Sequence, residues 1–250
     1  MTCPICKRLY CDHSPAERGQ SFDEMIEDMH APHIIIDEGL TKRVTQSEYE
    51  AYINRPKRND QRIIRKMELP DIKEVKEIQD SYSYCKMSSG QAQKNGFFMR
   101  LLDEEEFTKS IVDPSSCNFV YSVREKIEGY IMASFRNHAT ADERIKRASY
   151  FDTSLQDQIL KEKHLFAQYV AKRKHSSCKI VLSLEQEMFN EAVDIGCKHI
   201  VGLIALSPDN RTSWDFHKGK GWKKIGRVSD KINELQIEWG VVYRSPQELL

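Results

Sequence analysis

Three cysteines and one histidine lie close together near the start of the sequence, within CPICKRLYCDH. These residues are Cys3, Cys6, Cys11 and His13. Thiolates and imidazoles are the ligands that zinc prefers, and a C-x-x-C pair is a frequent half-site for that metal. The set could close a structural zinc site by itself, or His30 or His33 could supply the fourth ligand. The alternatives are a redox C-x-x-C pair and a flexible end with incidental thiols.

A second stretch that could do chemistry runs from residue 208 to residue 222 and reads PDNRTSWDFHKGKGW. It begins with a proline and helix-capping residues and ends in a glycine before an aromatic residue, which predicts a short helix. The imidazole of His217 can exchange a proton near neutral pH, which suits general acid–base catalysis. Most histidines on short helices have no catalytic role, so His217 alone is a weak signal.

The composition limits the classes of function. The 250 residues include 38 basic and 38 acidic side chains, so any preference for nucleic acid or membrane must come from a local patch. No window reaches about 18 consecutive apolar residues, and the N-terminus lacks the apolar region of a signal peptide. Three of the seven cysteines lie within nine residues, which favours a reducing, cytoplasmic location over a disulfide framework.

Differences in composition and residue pattern along the sequence predict three regions: a Cys/His segment over residues 1–33, a connector over 34–60 and an α/β domain over 61–250. HIIID in the connector is a candidate strand, and the basic stretch from Arg55 to Lys66 is either a solvated linker or a nucleic-acid contact. Periodicity in the domain predicts the order strand, helix, helix, hairpin, strand, helix, strand, helix and closing strands. KHIVGLIAL is nearly all apolar, as expected for a central strand.

This order of elements resembles the GNAT acyltransferase superfamily over roughly residues 61–245. The resemblance implies an α/β (α+β) fold with a mixed central sheet flanked by helices. In the family, a loop of pattern R/Q-x-x-G-x-G/A opens a long helix and binds the pyrophosphate of acetyl-CoA, since backbone N–H groups and the positive helix end attract anions. Here Arg173, Ser176 and Cys178 take the three marked positions, and neither glycine is present.

The family pattern N-x-x-A-x-x-F-Y-x-x-x-G-F also matches the second stretch in spacing. Its positions here are Asn210, Ser213, Phe216, His217, Gly221 and Trp222. The match implies that Asn210 caps the helix or contacts the pantetheine, that Phe216 packs beneath it, and that His217 replaces a tyrosine that protonates the leaving thiolate. The implied set of acetyl-CoA contacts is Tyr169, Val170, Ala171, Arg173, Lys174, Ser176, Ser177, Cys178, Asn210, Ser213, Phe216 and Lys220.

The resemblance implies an N-acyltransferase in which an amine attacks the thioester of acetyl-CoA directly. Glu125, Glu128 and Asp152 are candidates for the base, and the sequence does not choose among them. The acceptor could be a small molecule, a protein or a nucleic acid, and the oligomeric state stays open. The insertion at residues 137–163 is expected to cover the acceptor site, or is a helical excursion without function.

Two other classes of function remain open at this point. One is a non-catalytic binding protein on a GNAT scaffold. The other is a nucleic-acid-binding module that uses the zinc cluster and the basic stretch.

Overall fold

The computed structural model describes residues 33–37, 40–44, 62–232 and 234–246. The chain forms two compact units, Met1–Lys66 with Val120–Glu128, and Met67–Phe119 with Gly129–Leu250. The predicted zinc ligands Cys3, Cys6, Cys11 and His13, and the alternative ligand His30, lie outside the described residues. Within the described part, no helix is long and apolar enough to cross a membrane.

The smaller unit contains three short strands, β1 (His33–Asp37), β2 (Leu40–Val44) and β3 (Arg62–Lys66). β1 pairs antiparallel with both β2 and β3, so the predicted strand HIIID is confirmed. β3, at the end of the basic stretch, is the strand with which the predicted α/β domain begins. The turn of the predicted hairpin, Val120–Glu128, also belongs to this unit.

The sheet of the larger unit follows the order β4-β5-β7-β8-β10-β9-β6. These strands are β4 (Ser116–Val123), β5 (Lys126–Arg136), β6 (Ser149–Tyr150), β7 (His164–Lys172), β8 (His199–Ser207), β9 (Lys223–Ile232) and β10 (Leu235–Arg244). From β5 to β6 the pairings are antiparallel, except that β7 and β8 run parallel. A parallel pair needs a crossover connection, which a long helix supplies here.

Helices flank this sheet, in the order that the sequence predicts. They are α1 (Ile72–Asp80), α2 (Ser89–Asn95), α3 (Glu104–Val112), α4 (Glu143–Arg147), α5 (Thr153–Lys161), α6 (Lys179–Asp194) and α7 (Arg211–Lys218). α6 is the crossover, and its apolar stripe of Ile180, Leu184 and Met188 is buried. The expected mixed sheet flanked by helices is confirmed.

A glycine allows α6 to pack close to the sheet. A Cβ atom on Gly129 of β5 would lie 2.6 Å from Cγ2 of Ile180 and 3.0 Å from the carbonyl oxygen of Ala171. Both distances are too short for ordinary contacts between these atoms, so only glycine fits without movement of α6 or β7.

The insertion at residues 137–163 is part of the core. It contributes Ile145, Tyr150 and Ile159, which are buried together with Trp239. It also adds β6, which pairs antiparallel with β9. The insertion is therefore a packed part of the larger unit.

Candidate active site

The strands β7 and β8 lie side by side only at their beginnings. Their pairing runs from His164 opposite His199 to Ala167 opposite Gly202. β7 then carries a bulge, because Met132 of β5 pairs with Tyr169 and Ala133 pairs with Ala167. A bulge bends its strand and increases the local twist. Beyond it, the facing edges of β7 and β8 have no strand partner in the described part of the chain.

A cavity of about 440 Å3 in the larger unit is bounded by the two separating strands. Its walls include residues 168–170 of β7 and residues 203–205 of β8. Aromatic rings add a further side, since Phe97 and Phe98 line it and the Phe98 ring meets that of Tyr169 edge-on at 5.3 Å. Burial raises the pKa of Tyr169, so its hydroxyl stays protonated near neutral pH.

Three predicted residues of α7 face this cavity: Asn210, Ser213 and His217. Asn210 is at the N-cap position, but its side chain makes no capping hydrogen bond. Instead its Nδ2 donates to the carbonyl oxygen of Phe97 at 3.1 Å. The side-chain oxygen of Asn210 is buried and has no hydrogen-bond partner among the described residues. It is therefore free to accept a hydrogen bond from a bound ligand.

Both ring nitrogens of His217 lie close to oxygen atoms of other residues. Nδ1 lies 2.6 Å from the carbonyl oxygen of Ser213, and Nε2 lies 3.4 Å from Oε1 of Glu185. The side chains of His217 and Glu185 are only 13% and 4% exposed. Because a carbonyl oxygen can only accept, Nδ1 carries a proton, and Nε2 is the nitrogen that faces the carboxylate.

Glu185 was not found by sequence reasoning. It sits on α6 between the buried residues Leu184 and Met188, on the face that packs against the sheet. A glutamate inside an apolar helical stripe is unusual, because a buried carboxylate needs a partner. That position in the stripe is the signal that could have identified it.

The loop at residues 173–178 connects β7 to α6. Nη2 of Arg173 is bound to carboxylates of α1, at 3.0 Å from Glu74 and 3.5 Å from Glu77. Within the described part of the chain, no group accepts a hydrogen bond from the N–H groups of Ser177 and Cys178. The loop therefore presents backbone donors at the start of a helix, while its arginine is already paired.

The cavity brings together five of the predicted site residues: Tyr169, Val170, Asn210, Ser213 and His217. The other predicted acetyl-CoA contacts do not line it, namely Ala171, Arg173, Lys174, Ser176, Ser177, Cys178, Phe216 and Lys220. Most of these lie on the loop or next to α7, and the ring of Phe216 meets that of His217 edge-on at 5.4 Å. Their roles stay predictions.

The predicted bases lie elsewhere. Glu125 and Glu128 are in the smaller unit, at the turn and in the first residues of β5. Asp152 is the exposed N-cap of α5, where its carboxylate accepts hydrogen bonds from the hydroxyl of Ser154 and the N–H groups of Ser154 and Leu155. These bonds lower the pKa of Asp152. None of the three is among the residues that line the cavity.

Charged residues that the sequence did not single out line one part of the cavity. Arg136 ends β5, and Asp142 and Arg144 belong to the start of α4. Arg144 forms a bidentate ion pair with Asp142, in which Nε lies 2.9 Å from Oδ1 and Nη2 lies 2.8 Å from Oδ2. Burial opposes ionisation of Asp142, but hydrogen bonds and charge from Arg144 outweigh it and lower the pKa.

No group of three or more His, Cys, Asp or Glu side chains in the described residues is arranged to hold a metal ion. The predicted zinc ligands are not among those residues.

Solved structures of other proteins share the fold of this chain. No protein-family model and no curated protein matches the chain. NAA60 of Arabidopsis thaliana, in complex with a bisubstrate analogue, has a TM-score of 0.54 at 11% identity, over 74% of this chain and 97% of its own. FeeM, an N-acyl amino acid synthase from uncultured soil microbes, has a TM-score of 0.52 at 14% identity, over 76% and 93%. Ard1 from Thermoplasma volcanium has 0.51 at 11%, over 74% and 97%.

The fold is that of the GNAT acyltransferases. At these identities the likeness is one of fold, and the chemistry of this chain has to be argued from its own residues.

Proposed function

We propose that this GNAT-fold protein transfers an acyl group from acetyl-CoA to an amine. The separation of β7 and β8 after Ala167 and Gly202 carries the proposal, because it opens a cavity beside two unpaired strand edges. Backbone groups on such an edge can bind an extended chain like pantetheine as they would bind another strand. NAA60 of Arabidopsis thaliana has also been solved in complex with acetyl-CoA, so the fold in that protein holds this co-substrate.

The loop at residues 173–178 fits a bound pyrophosphate through its backbone. The N–H groups of Ser177 and Cys178 lie at the positive end of α6, where an anion is stabilised. Arg173 is paired with Glu74 and Glu77, so we assign it to fixing the loop against α1. Direct phosphate contacts from Lys174, Ser176 and Lys220 stay predictions.

In the proposed reaction the amine nitrogen attacks the carbonyl carbon of the thioester. A C–N bond forms and the C–S bond breaks, so the amine loses one proton and the leaving thiolate gains one. We assign the second transfer to Nε2 of His217, because Nδ1 is committed to the carbonyl oxygen of Ser213. The carboxylate of Glu185 can take up the proton that the amine loses and pass it to Nε2 across the 3.4 Å separation, so the two proton transfers balance.

Calorimetric titration with acetyl-CoA and with CoA tests the proposed function. We expect dissociation constants in the micromolar range for both. Ser213→Trp should abolish the heat, because Ser213 lines the cavity and a large ring there would occupy it. Arg211→Trp is the matched control, since the Arg211 side chain on the same helix is 76% exposed.

Absence of binding to either compound by a folded protein would contradict the proposal. The non-catalytic binding protein and the nucleic-acid-binding module would then be the functions to test. Unchanged binding in Ser213→Trp would show that the cavity is not the acetyl-CoA site.

We also propose a structural zinc site formed by Cys3, Cys6, Cys11 and His13. Support comes from the sequence, where three thiols and one imidazole fall within eleven residues. Such a site would order a segment that is too short to bury a core of its own.

A further inference from the structure

We infer that the amine acceptor carries a carboxylate, and that Arg136 binds it at the end of the cavity remote from the loop at residues 173–178. The inference rests on the proposed acyl transfer and specifies its second substrate. It is carried by the pairing of charges around the cavity, by the position of Arg136 along β7, and by an unpaired buried donor.

Arg136 is the cation of the cavity wall that has no carboxylate partner among the described residues. Four cations line the cavity: Arg100, Lys109, Arg136 and Arg144. Three have carboxylate partners, which are Glu106 for Arg100, Glu105 for Lys109 and Asp142 for Arg144. Arg136 has no ion pair with any described residue, and its one hydrogen bond there is from Nε to Oγ of Ser134 at 2.8 Å. The two Nη groups of Arg136 are therefore available to a ligand.

Two carboxylates near Arg136 are engaged elsewhere. Oδ1 of Asp113 accepts hydrogen bonds from the N–H and the hydroxyl of Ser115, at 2.8 and 2.7 Å. Both oxygens of Asp142 accept from Arg144. Because these two negative charges already lie near Arg136, a single negative charge on the ligand is favoured over a phosphate dianion. The fork of an arginine matches a carboxylate well.

The position of Arg136 separates it from the predicted pyrophosphate loop. It pairs with His164, the first residue of β7, whereas Gly129 pairs with Lys172, the last residue before the loop. Eight steps along a strand span about 26 Å. Acetyl-CoA bound with its phosphates at the loop would therefore leave the Arg136 end of the cavity to the amine acceptor.

Trp239 supplies a second donor to the cavity; it pairs with Ala205 of β8 and so lies away from the Arg136 end. It lines the cavity, and its Nε1 is buried without a hydrogen-bond partner among the described residues. The guanidinium of Arg144 lies 5.6 Å from the centre of the Trp239 ring, which fixes the ring beside the charged cluster. A buried N–H favours a ligand oxygen, so Trp239 offers a second contact to an acceptor that extends along the cavity from Arg136.

Paired acceptors test the inference. Free amino acids, from glycine to longer ω-amino acids, and their carboxamides would be compared as acceptors by following release of the CoA thiol. We expect kcat/KM to be at least about tenfold higher for the acids, because a charge-assisted hydrogen bond is lost in the amides. Arg136→Gln should remove this preference through a higher KM for the acids, with unchanged rates for the amides and unchanged affinity for acetyl-CoA.

Arg147→Gln is the matched control. Arg147 is on α4, pairs with Asp230 at 2.9 Å and does not line the cavity, so its replacement should keep the preference for acids. A second measurement does not need turnover: calorimetry with the CoA-saturated protein would compare N-acetyl amino acids with their amides, and the acids should bind more tightly.

The outcomes separate the two proposals. A protein that binds no acetyl-CoA defeats the proposed function itself. A protein that binds acetyl-CoA but acetylates amides as well as acids, or keeps its preference in Arg136→Gln, overturns the carboxylate inference alone. The same holds if no acid of either panel is acetylated or bound.

Discussion

His217 of α7 and Glu185 of α6 form a close pair in the cavity wall. The carbonyl oxygen of Ser213 orients the ring through Nδ1, and Glu185 faces Nε2 from α6. Both side chains are largely buried, so the electrostatic interaction between them is stronger than it would be on the surface. In the proposed reaction, this pair supplies the proton that the leaving thiolate takes up.

Replacement of His217 should separate catalysis from binding. We expect His217→Phe to lower kcat by about 100-fold or more, since the leaving thiolate would lose its acid, with little change in the affinity for acetyl-CoA. Glu185→Gln keeps the shape of the side chain but cannot return a proton, so kcat should fall without a rise in KM. Steady-state kinetics with thiol detection measure both.

Glu187→Gln provides the control, because Glu187 is also buried on α6 but does not line the cavity. An equal fall of kcat in this variant would mean that the loss of any buried glutamate on α6 lowers turnover. Normal turnover in His217→Phe would remove His217 from the mechanism.

The position of α6 depends on one glycine of the sheet. Gly129 provides the space in which Ile180 meets β5, and the nearby carbonyl oxygen of Ala171 belongs to β7. α6 carries Glu185 and follows the loop at residues 173–178. The way in which α6 packs on the sheet therefore also determines where these parts of the candidate site lie. Packing at this point thus affects both stability and function.

Gly129→Ala should destabilise the protein by about 1–3 kcal/mol, because the added Cβ would overlap Ile180 and a backbone oxygen that cannot rotate away. The shift in the midpoint of urea unfolding measures this cost. Gly90→Ala in α2 is the control: no atom lies within 4 Å of the added Cβ, and alanine favours a helix by up to about 1 kcal/mol. An unchanged midpoint in Gly129→Ala would disprove the tight seating of α6.

The order of elements could be predicted because it follows from local periodicity. The apolar stripe of α6 and the continuous apolar run of β8 identify those elements without knowledge of their neighbours. The bulge at residue 168 could not be predicted, because it is defined by the register of β7 against β5. The spacing of one motif led to His217, whereas Glu185 and Arg136 acquire their meaning from partners that are distant in the sequence.

At the scale of the whole molecule, the structure groups Val120–Glu128, the hairpin turn and the adjoining strand ends, with Met1–Lys66. The composition, which predicts a boundary near residue 61, does not indicate this grouping. Within the smaller unit, the end of β4 lies next to β3 in the sheet, which explains the grouping. Strand pairing between residues far apart in sequence leaves no trace in composition, so this division could not be predicted.

The proposed zinc site can be tested directly on the purified protein. Elemental analysis of the purified protein should give about one zinc per chain if the four ligands form a closed site. Cys3→Ser should reduce this content, whereas Cys85→Ser should not, because Cys85 is an exposed free cysteine of the larger unit. Metal-free protein with an unchanged unfolding transition would refute the zinc site.

The insertion at residues 137–163 has a consequence for how this protein could diverge. It supplies Asp142 and Arg144 to the cavity, whose other walls come from parts of the chain outside the insertion, β7, β8, α6 and α7 among them. Under the proposed function, mutations confined to this one short genetic segment would alter the part of the cavity assigned to the acceptor and leave β7, β8, α6 and α7 intact. Laboratory variants that exchange the segment would then be expected to change acceptor specificity while they keep acetyl-CoA binding.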